Sequence, residues 1–394
     1  MTDFGKFKEV KTNLLTETEV ASLLDGNHGI TYIYHNKNPL LLGKRALLKV
    51  NTNIGISDKA NLNSELRKLE VISKLKYSPD SMMDHTIIQL EKPLWRYIIE
   101  YLGKPVGTLP HYTSYRSRDG IDKNRFLETI EEMGEGGVNF MTLHPTASLR
   151  LLEIANKCRT IATTARGGAL ILKDAQQNLR NENIIVDYFD EIIDLFLKYN
   201  MTMSIGTTFR PMCIDEALDP AQCEEIAEQG KYIAYAKSKG VNVMMEGVGH
   251  ISLRDIPRYC SLIKPFNTPL MPLGPMLTDA TIGFDHVTSA IGATAISLFG
   301  NIASINSVTR EEHTGGVPNI DSIIEGLKSA RVAAHCVNLN RFEKYGELDR
   351  VISKKRSSSR TCVISGGIFD EDSLDGTTEG CSRCSFECPL SLLK

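Results

Sequence analysis

The chain has 394 residues, a formal net charge of −3 and 24% charged residues. Its longest run of basic residues is Lys354-Lys355-Arg356, so the composition excludes the basic footprint of a nucleic-acid binder and favours a small-molecule partner. No apolar stretch approaches the roughly 18 residues that span a bilayer, and the charged first residues do not resemble a secretory signal, so we expect a cytoplasmic protein with no membrane contact.

Eight short β-branched or apolar runs, most of them bounded by Gly, Pro, Asn or Asp, predict strands. In chain order they are residues 47–51, 81–84, 105–109, 138–143, 160–164, 201–205, 241–245 and 269–273. Between them lie segments with helical spacing of apolar residues. The clearest of these are residues 63–75, 94–102, 124–133, 187–199 and 221–239.

Strand followed by helix, repeated about eight times, is the pattern of a parallel barrel. We therefore predict an α/β fold, a (β/α)8 TIM-like barrel over residues 47–355, with an N-terminal extension (1–46) and a C-terminal linker and cysteine tail (356–394). A doubly wound open sheet is the alternative. That fold typically has a Gly-rich turn, G-x-G-x-x-G, after an early strand, and the glycines here do not fall in that pattern.

Polar side chains follow most of the predicted strands, which is where a parallel barrel places its catalytic groups. In chain order they are Asn51 and Asn53, Asp84 and His85, Tyr112, His144, Arg166-Gly167-Gly168, Arg210, and Glu246 with His250. Any one of them could equally be a helix cap or a loop residue. Their number at one rim predicts an active site, and Arg166-Gly167-Gly168 before a helix suits an anion such as a phosphate.

His250 and His313 are the histidines that we predict as ligands of a divalent metal with open positions, with His286 as a polar neighbour. Without other information a histidine such as His250 is more often a hydrogen-bonded structural residue, and this alternative stays open. His335, inside a predicted helix, is interpreted as structural.

Three of the nine cysteines, Cys381, Cys384 and Cys388, stand in a C-x2-C-x3-C pattern near the C-terminus. The pattern allows a zinc knuckle completed by Cys362 or a histidine, a three-cysteine 4Fe–4S cluster whose fourth iron binds a cosubstrate, or no metal. The other cysteines are expected to be reduced, buried small side chains. They are Cys158, Cys213, Cys223, Cys260, Cys336 and Cys362.

Five segments, in order and with comparable spacings, resemble the phosphomethylpyrimidine synthase (ThiC) family. They are Lys-Val-Asn-Thr-Asn-Ile-Gly at 49–55, Ala-Arg-Gly-Gly at 165–168, Met-Glu-Gly-Val-Gly-His at 245–250, Leu-Gly-Pro at 273–275 and Phe-Asp-His-Val-Thr-Ser-Ala-Ile-Gly at 284–292. The terminal cysteine triplet is similar too. The resemblance runs from about residue 47 to the end.

The resemblance implies a radical S-adenosylmethionine lyase on a (β/α)8 barrel, acting on 5-aminoimidazole ribotide. It implies that Cys381, Cys384 and Cys388 hold a catalytic 4Fe–4S cluster, whose free iron chelates the cosubstrate S-adenosyl-L-methionine. Electron transfer, from an external donor such as flavodoxin or ferredoxin, then yields methionine and a 5′-deoxyadenosyl radical. The family likeness also implies a homodimer in which one chain's tail covers the partner's site.

Matched to the family motifs, one group of positions is implied to hold the ribotide. These are Asn51, Met83, Tyr112, His144, Arg166, Gly167, Gly168, Arg210 and Glu246, of which Glu246 is also implied to be catalytic. His250 and His313 match the second metal site, for Zn²⁺ or Fe²⁺. These residues include most of those that the strand-end argument selects.

The chain departs from the family pattern at three places. The family's Asp-Gly-Leu-Arg is Thr207-Thr-Phe-Arg210 here, a family Tyr is Met271, and only three residues separate Cys384 from Cys388. Lost polar contacts change substrate placement or substrate. The expected product is the thiamine pyrimidine 4-amino-5-hydroxymethyl-2-methylpyrimidine phosphate. The alternatives are 5-hydroxybenzimidazole, a precursor in cobamide biosynthesis, and a barrel that binds a metal or phospho-ligand without radical chemistry.

Overall fold

The computed structural model describes residues 29–35, 40–359, 366–369, 383–384 and 387–392. Two short antiparallel strands, β1 (Thr31–Ile33) and β2 (Leu40–Leu42), precede a curled sheet of seven parallel strands. These are β3 (Lys49–Ile54), β4 (Ser81–Asp84), β5 (Val106–Thr108), β6 (Phe140–Leu143), β7 (Thr202–Ile205), β8 (Asn242–Met245) and β11 (Ser304–Asn306).

The order across the sheet is β11-β3-β4-β5-β6-β7-β8, so neighbours in sequence are neighbours in space except at β11. Beyond β8, single parallel bridges join Met245 to Leu270 and Leu270 to Ile302, next to β11. A separate parallel pair, β9 (Val248–His250) and β10 (Leu273–Met276), lies beyond the strand ends. Because the seven strands of the main sheet are parallel, their carboxyl ends lie at the same edge.

Helices follow most strands and pack apolar side chains on the sheet, as an α/β fold requires. They are α1 (Leu62–Lys74), α2 (Leu94–Leu102), α3 (Pro110–Ser114), α4 (Lys123–Glu135), α5 (Leu149–Cys158), α6 (Arg166–Gln177), α7 (Ile184–Asp187), α8 (Phe189–Lys198), α9 (Pro220–Ser238), α10 (Ile256–Ile263), α11 (Asp285–Ile296), α12 (Ile320–Arg341), α13 (Glu347–Ser359) and α14 (Pro389–Leu392). The predicted boundary after residue 355 falls inside α13.

The prediction of a strand at residues 160–164 is wrong. The segment lies between α5 and α6, and β6 pairs directly with β7, which leaves no place for a strand between them. Side chains hold it instead: the Thr163 hydroxyl donates to the Thr208 carbonyl, and buried Arg159 pairs with Asp219 at 2.6 Å. The sheet position that the sequence did not predict is β11.

The five cysteines of the described body have free thiols, but only Cys260 is buried. Cys213 and Cys223 are half-buried. The expectation of burial is wrong for Cys158 and Cys336, which are exposed, and Cys362 lies outside the described residues. In the described part of the chain, no helix combines the length and apolarity needed to cross a bilayer.

Candidate active site

A cavity of about 370 Å³ opens at the edge where the sheet strands end. Seven of the nine positions that sequence reasoning assigned to the ribotide line it. They are Met83, Tyr112, His144, Arg166, Gly167, Arg210 and Glu246. Strand-end residues Asn53, His85 and Asn306 and loop residues Thr309 and Glu312 complete much of the wall. The structure therefore brings the predicted residues to one site.

Asn51 lies beneath this cavity rather than in its wall. It is fully buried, and its amide nitrogen donates to Asn53 Oδ1 and Asn306 Oδ1, both at 2.8 Å. Its own Oδ1 accepts from the Ser81 hydroxyl at 2.8 Å. Because both amide hydrogens and the carbonyl are engaged, Asn51 fixes the two asparagines that face the cavity.

The N-terminus of α6 points its first turn at the cavity, with Arg166 and Gly167 in the wall. The first N–H groups of a helix have no intrahelical acceptor, so this end attracts anions. A Cβ on Gly167 would lie 2.4 Å from His144 Nε2 and 2.7 Å from His111 Nε2, so only glycine allows this approach. Gly168 packs in the same way against Thr208, outside the cavity wall.

The histidines and the tyrosine of the site are held in their neutral forms. Burial, followed by the charges of Arg166 and Arg210, lowers the pKa of His85 to about 4, and burial also lowers the pKa of His144. Burial raises the pKa of Tyr112 to about 12. The guanidinium groups of Arg166 and Arg210 are thus the fixed positive charges of this part of the wall.

Glu246 follows β8 and accepts a hydrogen bond from the Thr142 hydroxyl at 2.8 Å. Burial raises the pKa of its carboxyl group, while the charge of Arg210 opposes that shift. The Nε atom of Arg210 is buried and has no hydrogen-bond partner in the described residues. A ligand with anionic or carbonyl oxygen would satisfy that donor.

Helix α9 holds the loop that carries Arg210. The Glu225 carboxyl group accepts from the backbone N–H of Thr208 at 2.6 Å and of Phe209 at 2.7 Å. One turn further, Gln229 donates to the carbonyls of Gly206 and Glu246 at 3.1 and 3.2 Å. Neither residue was predicted from the sequence, since both lie in the middle of a helix.

The two residues that depart from the family pattern are not in the cavity wall. Thr207 is 2% exposed, and its hydroxyl accepts from Gln229 Nε2 at 3.2 Å. Met271 is also 2% exposed and belongs to a buried apolar cluster with Met83 and Tyr112. Each can therefore affect the cavity only through its neighbours, which are Gln229 for Thr207 and the cluster with Met83 and Tyr112 for Met271.

His250 and His313 face each other across 3.0 Å between their Nε2 atoms. His250 Nδ1 lies 2.6 Å from Asp279 Oδ1, and His313 Nδ1 lies 2.7 Å from Asp285 Oδ1. His286, predicted as a polar neighbour, instead stacks on Phe284, and its Nδ1 is buried without a partner in the described residues. His335, on α12, forms a hydrogen bond with Asp349 of α13, which is consistent with a structural role.

The hydrogen positions that this geometry requires leave an electrostatic problem between the rings of His250 and His313. A carboxylate only accepts, so each Nδ1 must carry a hydrogen, and in a neutral ring Nε2 then presents a lone pair. Two lone pairs at 3.0 Å repel each other, so either a proton on one ring or a metal ion must lie between them. Bonds of about 2.0–2.1 Å to a tetrahedral metal separate two ligand nitrogens by about 3.3 Å, close to this distance.

The carboxylates of Asp279 and Asp285 were not predicted. They match the outer partners that fix the tautomer of metal-binding histidines. Asp285 could have been found, because it belongs to one of the five family-like segments. Asp279 carries no such signal, and its position depends on the fold of the loop after β10.

Of the three tail cysteines, Cys384 is exposed and Cys388 is half-buried, while Cys381 lies outside the described residues. The backbone N–H of Glu387 donates to the Cys384 carbonyl at 3.0 Å. Helix α14 begins directly after Cys388. Free thiols fit the ligand type of an iron–sulfur cluster.

Known proteins are similar to this chain along nearly all of its length. Residues 11–394 match the model of the Radical SAM ThiC family. A phosphomethylpyrimidine synthase of Caldanaerobacter subterraneus subsp. tengcongensis is 34% identical over 335 residues, which cover 82% of this chain and 76% of that protein.

Two further relatives align over more of the chain. A phosphomethylpyrimidine synthase of Pyrococcus abyssi is 29% identical over 390 residues, covering 93% of this chain and 90% of that protein. The 5-hydroxybenzimidazole synthase BzaA of Moorella thermoacetica is 29% identical over 378 residues, covering 91% and 86%. Relatives with two different products are thus about equally similar.

Proposed function

Because the chain belongs to the Radical SAM ThiC family, a family of enzymes, we propose that it rearranges 5-aminoimidazole ribotide into 4-amino-5-hydroxymethyl-2-methylpyrimidine phosphate. The observation that carries the proposal is the cavity at the strand ends, which is lined by seven of the nine residues that the family likeness assigns to the ribotide. Its volume, about 370 Å³, is that of a small-molecule site.

The cavity offers a complementary partner to each polar part of such a ligand. Arg166 and the N-terminus of α6 suit the phosphate group, because guanidinium and free N–H groups both donate to phosphate oxygens. Arg210 has the unsatisfied donor described above. Glu246 and the neutral imidazole of His144 can accept from ligand amine and hydroxyl groups.

The same proposal includes a 4Fe–4S cluster on Cys381, Cys384 and Cys388, with S-adenosyl-L-methionine as cosubstrate. When bound, the cluster supplies the electron that cleaves the cosubstrate, and an external flavodoxin or ferredoxin replenishes it. The free thiols of Cys384 and Cys388 and the backbone bond from Glu387 to Cys384 support this assignment.

His250 and His313 are proposed to hold Zn²⁺ or Fe²⁺ through Nε2. The facing lone pairs support the site, and so do the carboxylates on each Nδ1. Remaining coordination positions would be taken by water or by ligand atoms, as a metal with an open position requires. The task of the two aspartates is to orient the rings and to fix the tautomer in which each Nε2 presents its lone pair.

We also propose that the sheet closes into a complete (β/α)8 barrel. The bridges at Leu270 support this, because they place one more parallel chain segment between β8 and β11. The backbone N–H of Leu270 donates to the Asn301 carbonyl at 2.9 Å, and that of Ala303 donates to the Leu270 carbonyl at 2.8 Å. Leu270 would then be the seventh of eight barrel positions.

A cytoplasmic homodimer with exchanged tails is part of the proposal. Its support is an apolar stripe that begins at Phe284, just before α11, and continues through Val287 and Ile291 on the helix to Leu298 after it. These side chains are 40–62% exposed and recur at helical spacing. Contiguous exposed apolar surface of this kind marks a protein interface, and a second copy of the chain is the partner that the family implies.

A second product remains a candidate on specific grounds. The residues at positions 207 and 271 depart from the family pattern, and BzaA is as similar to this chain as the Pyrococcus enzyme. If the altered supports move the ribotide within the cavity, 5-hydroxybenzimidazole would be formed instead.

Product analysis tests the proposal. The reconstituted protein is incubated anaerobically with dithionite, S-adenosyl-L-methionine and 5-aminoimidazole ribotide, and the mixture is examined by mass spectrometry. We expect the pyrimidine phosphate to form, and to be lost in Arg210→Gln. Formation of 5-hydroxybenzimidazole would select the alternative product, and unchanged ribotide with an intact cluster would contradict both.

A further inference from the structure

A second cavity, here called the basal cavity, has a volume of about 360 Å³ and lies at the opposite end of the sheet. Lys49 is the first residue of β3, and Asp80 directly precedes β4, so this wall belongs to the edge where strands begin. None of the residues assigned to the ribotide or to metals lines the basal cavity. It is therefore separate from the proposed active site.

The lining of the basal cavity has an excess of positive charge. Its cationic side chains are Lys49, Lys76, Lys104 and Arg331, and Asp80 is the one carboxylate among the residues of its wall. His335 also contributes to the wall, and its Nε2 lies 2.8 Å from Asp349 Oδ2. The excess favours an anionic occupant over a neutral or cationic one.

Two of the cations have structural partners in the loop before β4. Arg331 donates to Asp80 at 2.6 Å and to the carbonyl of Tyr77 at 3.1 Å. Lys104 donates to the Ser78 hydroxyl at 2.6 Å and to the Pro79 carbonyl at 2.8 Å. These contacts hold the loop in place. The carboxylate of Asp80 is therefore already paired with Arg331.

Lys49 is different, because in the described part of the chain its ammonium group makes no direct hydrogen bond or ion pair. Burial lowers its pKa, the charge of Asp80 opposes this, and the charge of Arg331 adds to it. The Lys49 side chain is half-buried in the cavity wall, so its ammonium group is partly removed from water without a direct partner, and an anion beside it would offset the cost of that desolvation. The Lys49 amine is therefore the cation of this wall that is best placed to bind a ligand directly.

The tail contributes to the same cavity. Ile368, from the described segment 366–369, lies in its wall, and the ring of Phe369 packs edge-on against Tyr77 with centroids 4.9 Å apart. The Lys328 ammonium lies 5.8 and 5.9 Å from the centroids of these two rings. A ligand in the basal cavity would therefore contact the barrel and the segment that leads to the tail cysteines.

We propose that the basal cavity binds a phosphate-type dianion, with Lys49 as its direct ligand and Lys104 and Arg331 as supporting charges. Phosphate fits better than a carboxylate because its second charge matches the cationic excess, and lysine ammonium groups bind phosphate oxygens as point charges. Binding also retains Ile368 and Phe369 on the barrel. The inference does not depend on the proposed reaction.

Inorganic phosphate is the probe, and calorimetric titration of the full chain is the measurement, with acetate as the monoanion control. The wild type is expected to bind phosphate at two classes of site, the basal cavity and the cavity at the strand ends that is proposed to hold the ribotide. Lys49→Met should weaken the basal class at least tenfold, and Lys49→Arg should retain it. Lys157→Met, on an exposed lysine of α5, is the matched control and should change neither class.

Arg166→Gln separates this proposal from the proposed function, since it should weaken only the class that Lys49→Met leaves intact. Equal phosphate binding by Lys49→Met and the wild type would overturn the inference, whatever Arg166→Gln does. The acidic residues Asp370-Glu371-Asp372 follow Phe369 in the sequence. One contrary outcome is that phosphate binds in the basal cavity only after these three residues are replaced by Asn, Gln and Asn. In that case the chain's own carboxylates would be the anions that occupy the cavity, and the proposal would be wrong.

Discussion

His250 and His313 direct their Nε2 atoms at each other across 3.0 Å, while a separate aspartate anchors the Nδ1 atom of each ring. The pair comes from the end of β9 and from the loop after β11, which are 63 residues apart in the chain. This pair of anchored rings is the arrangement that we propose to hold a divalent metal.

The double variant His250→Ala, His313→Ala should lose one non-cluster metal per chain and most turnover while it keeps the tail iron. Asp285→Asn should lower metal affinity about 10–100-fold, because it removes the partner that orients His313. Elemental analysis beside the parent protein measures both effects. Unchanged non-cluster metal in the double variant would mean that the histidines only bond to the loops.

His111 is fully buried next to His144, with a distance of 5.4 Å between ring centroids. Neither of its ring nitrogens has a hydrogen-bond partner in the described residues, and burial lowers its pKa to about 3. An unsatisfied buried polar group costs about 1–3 kcal/mol. His111→Leu should therefore raise the free energy of unfolding by about 1 kcal/mol in urea titration. A loss of stability would show that the ring has a partner in the folded protein.

Glu225 should give stability a pH dependence near neutrality. Burial raises the pKa of its carboxyl group to about 7, against the hydrogen bonds from Thr146, Thr208 and Phe209. An acid with a raised pKa binds more protons when folded, so its contribution is complete below about pH 4.3, the usual glutamate pKa, and is lost as pH rises through about 7. Urea unfolding at pH 5 and pH 8 measures the difference, which should be smaller in Glu225→Gln than in the parent. An equal difference in both proteins would assign the pH dependence to other groups.

The apolar stripe on α11 predicts the oligomeric state. Ile291→Glu with Leu298→Glu should convert a dimer into a monomer, because each places a charge in an apolar contact. Leu179→Glu, at a leucine 89% exposed after α6, is the control and should stay dimeric. Light scattering gives the mass. A fully active monomeric wild type would exclude the exchanged-tail dimer.

Much of the site could be predicted because polar residues at strand ends converge in any parallel sheet of this kind. His144 and Glu246 follow β6 and β8 directly, so their place needed no knowledge of distant contacts. The run at 160–164 misled because threonine and isoleucine have high strand propensity, which the contacts of Thr163 override.

Other features depend on tertiary structure and left little trace in the sequence. Strand β11 has only three residues, too few for a clear alternation. Asp279 reaches His250 through a loop, and Glu225 supports residues 208 and 209 from the middle of α9. Their roles are visible only when the partner elements are in place.

The tail thiols and the strand-end cavity are proposed to form one radical enzyme, and formation of 5′-deoxyadenosine is the reaction that requires both. Anaerobic reactions with reductant and S-adenosyl-L-methionine are run with and without 5-aminoimidazole ribotide, for the parent, Cys384→Ala, Cys388→Ala and the control Cys158→Ala. We expect ribotide-stimulated 5′-deoxyadenosine from the parent and from Cys158→Ala, and none from either tail variant. Retention of 5′-deoxyadenosine formation in a tail variant, or its absence from a parent that carries the cluster, would show that this chain is not such an enzyme.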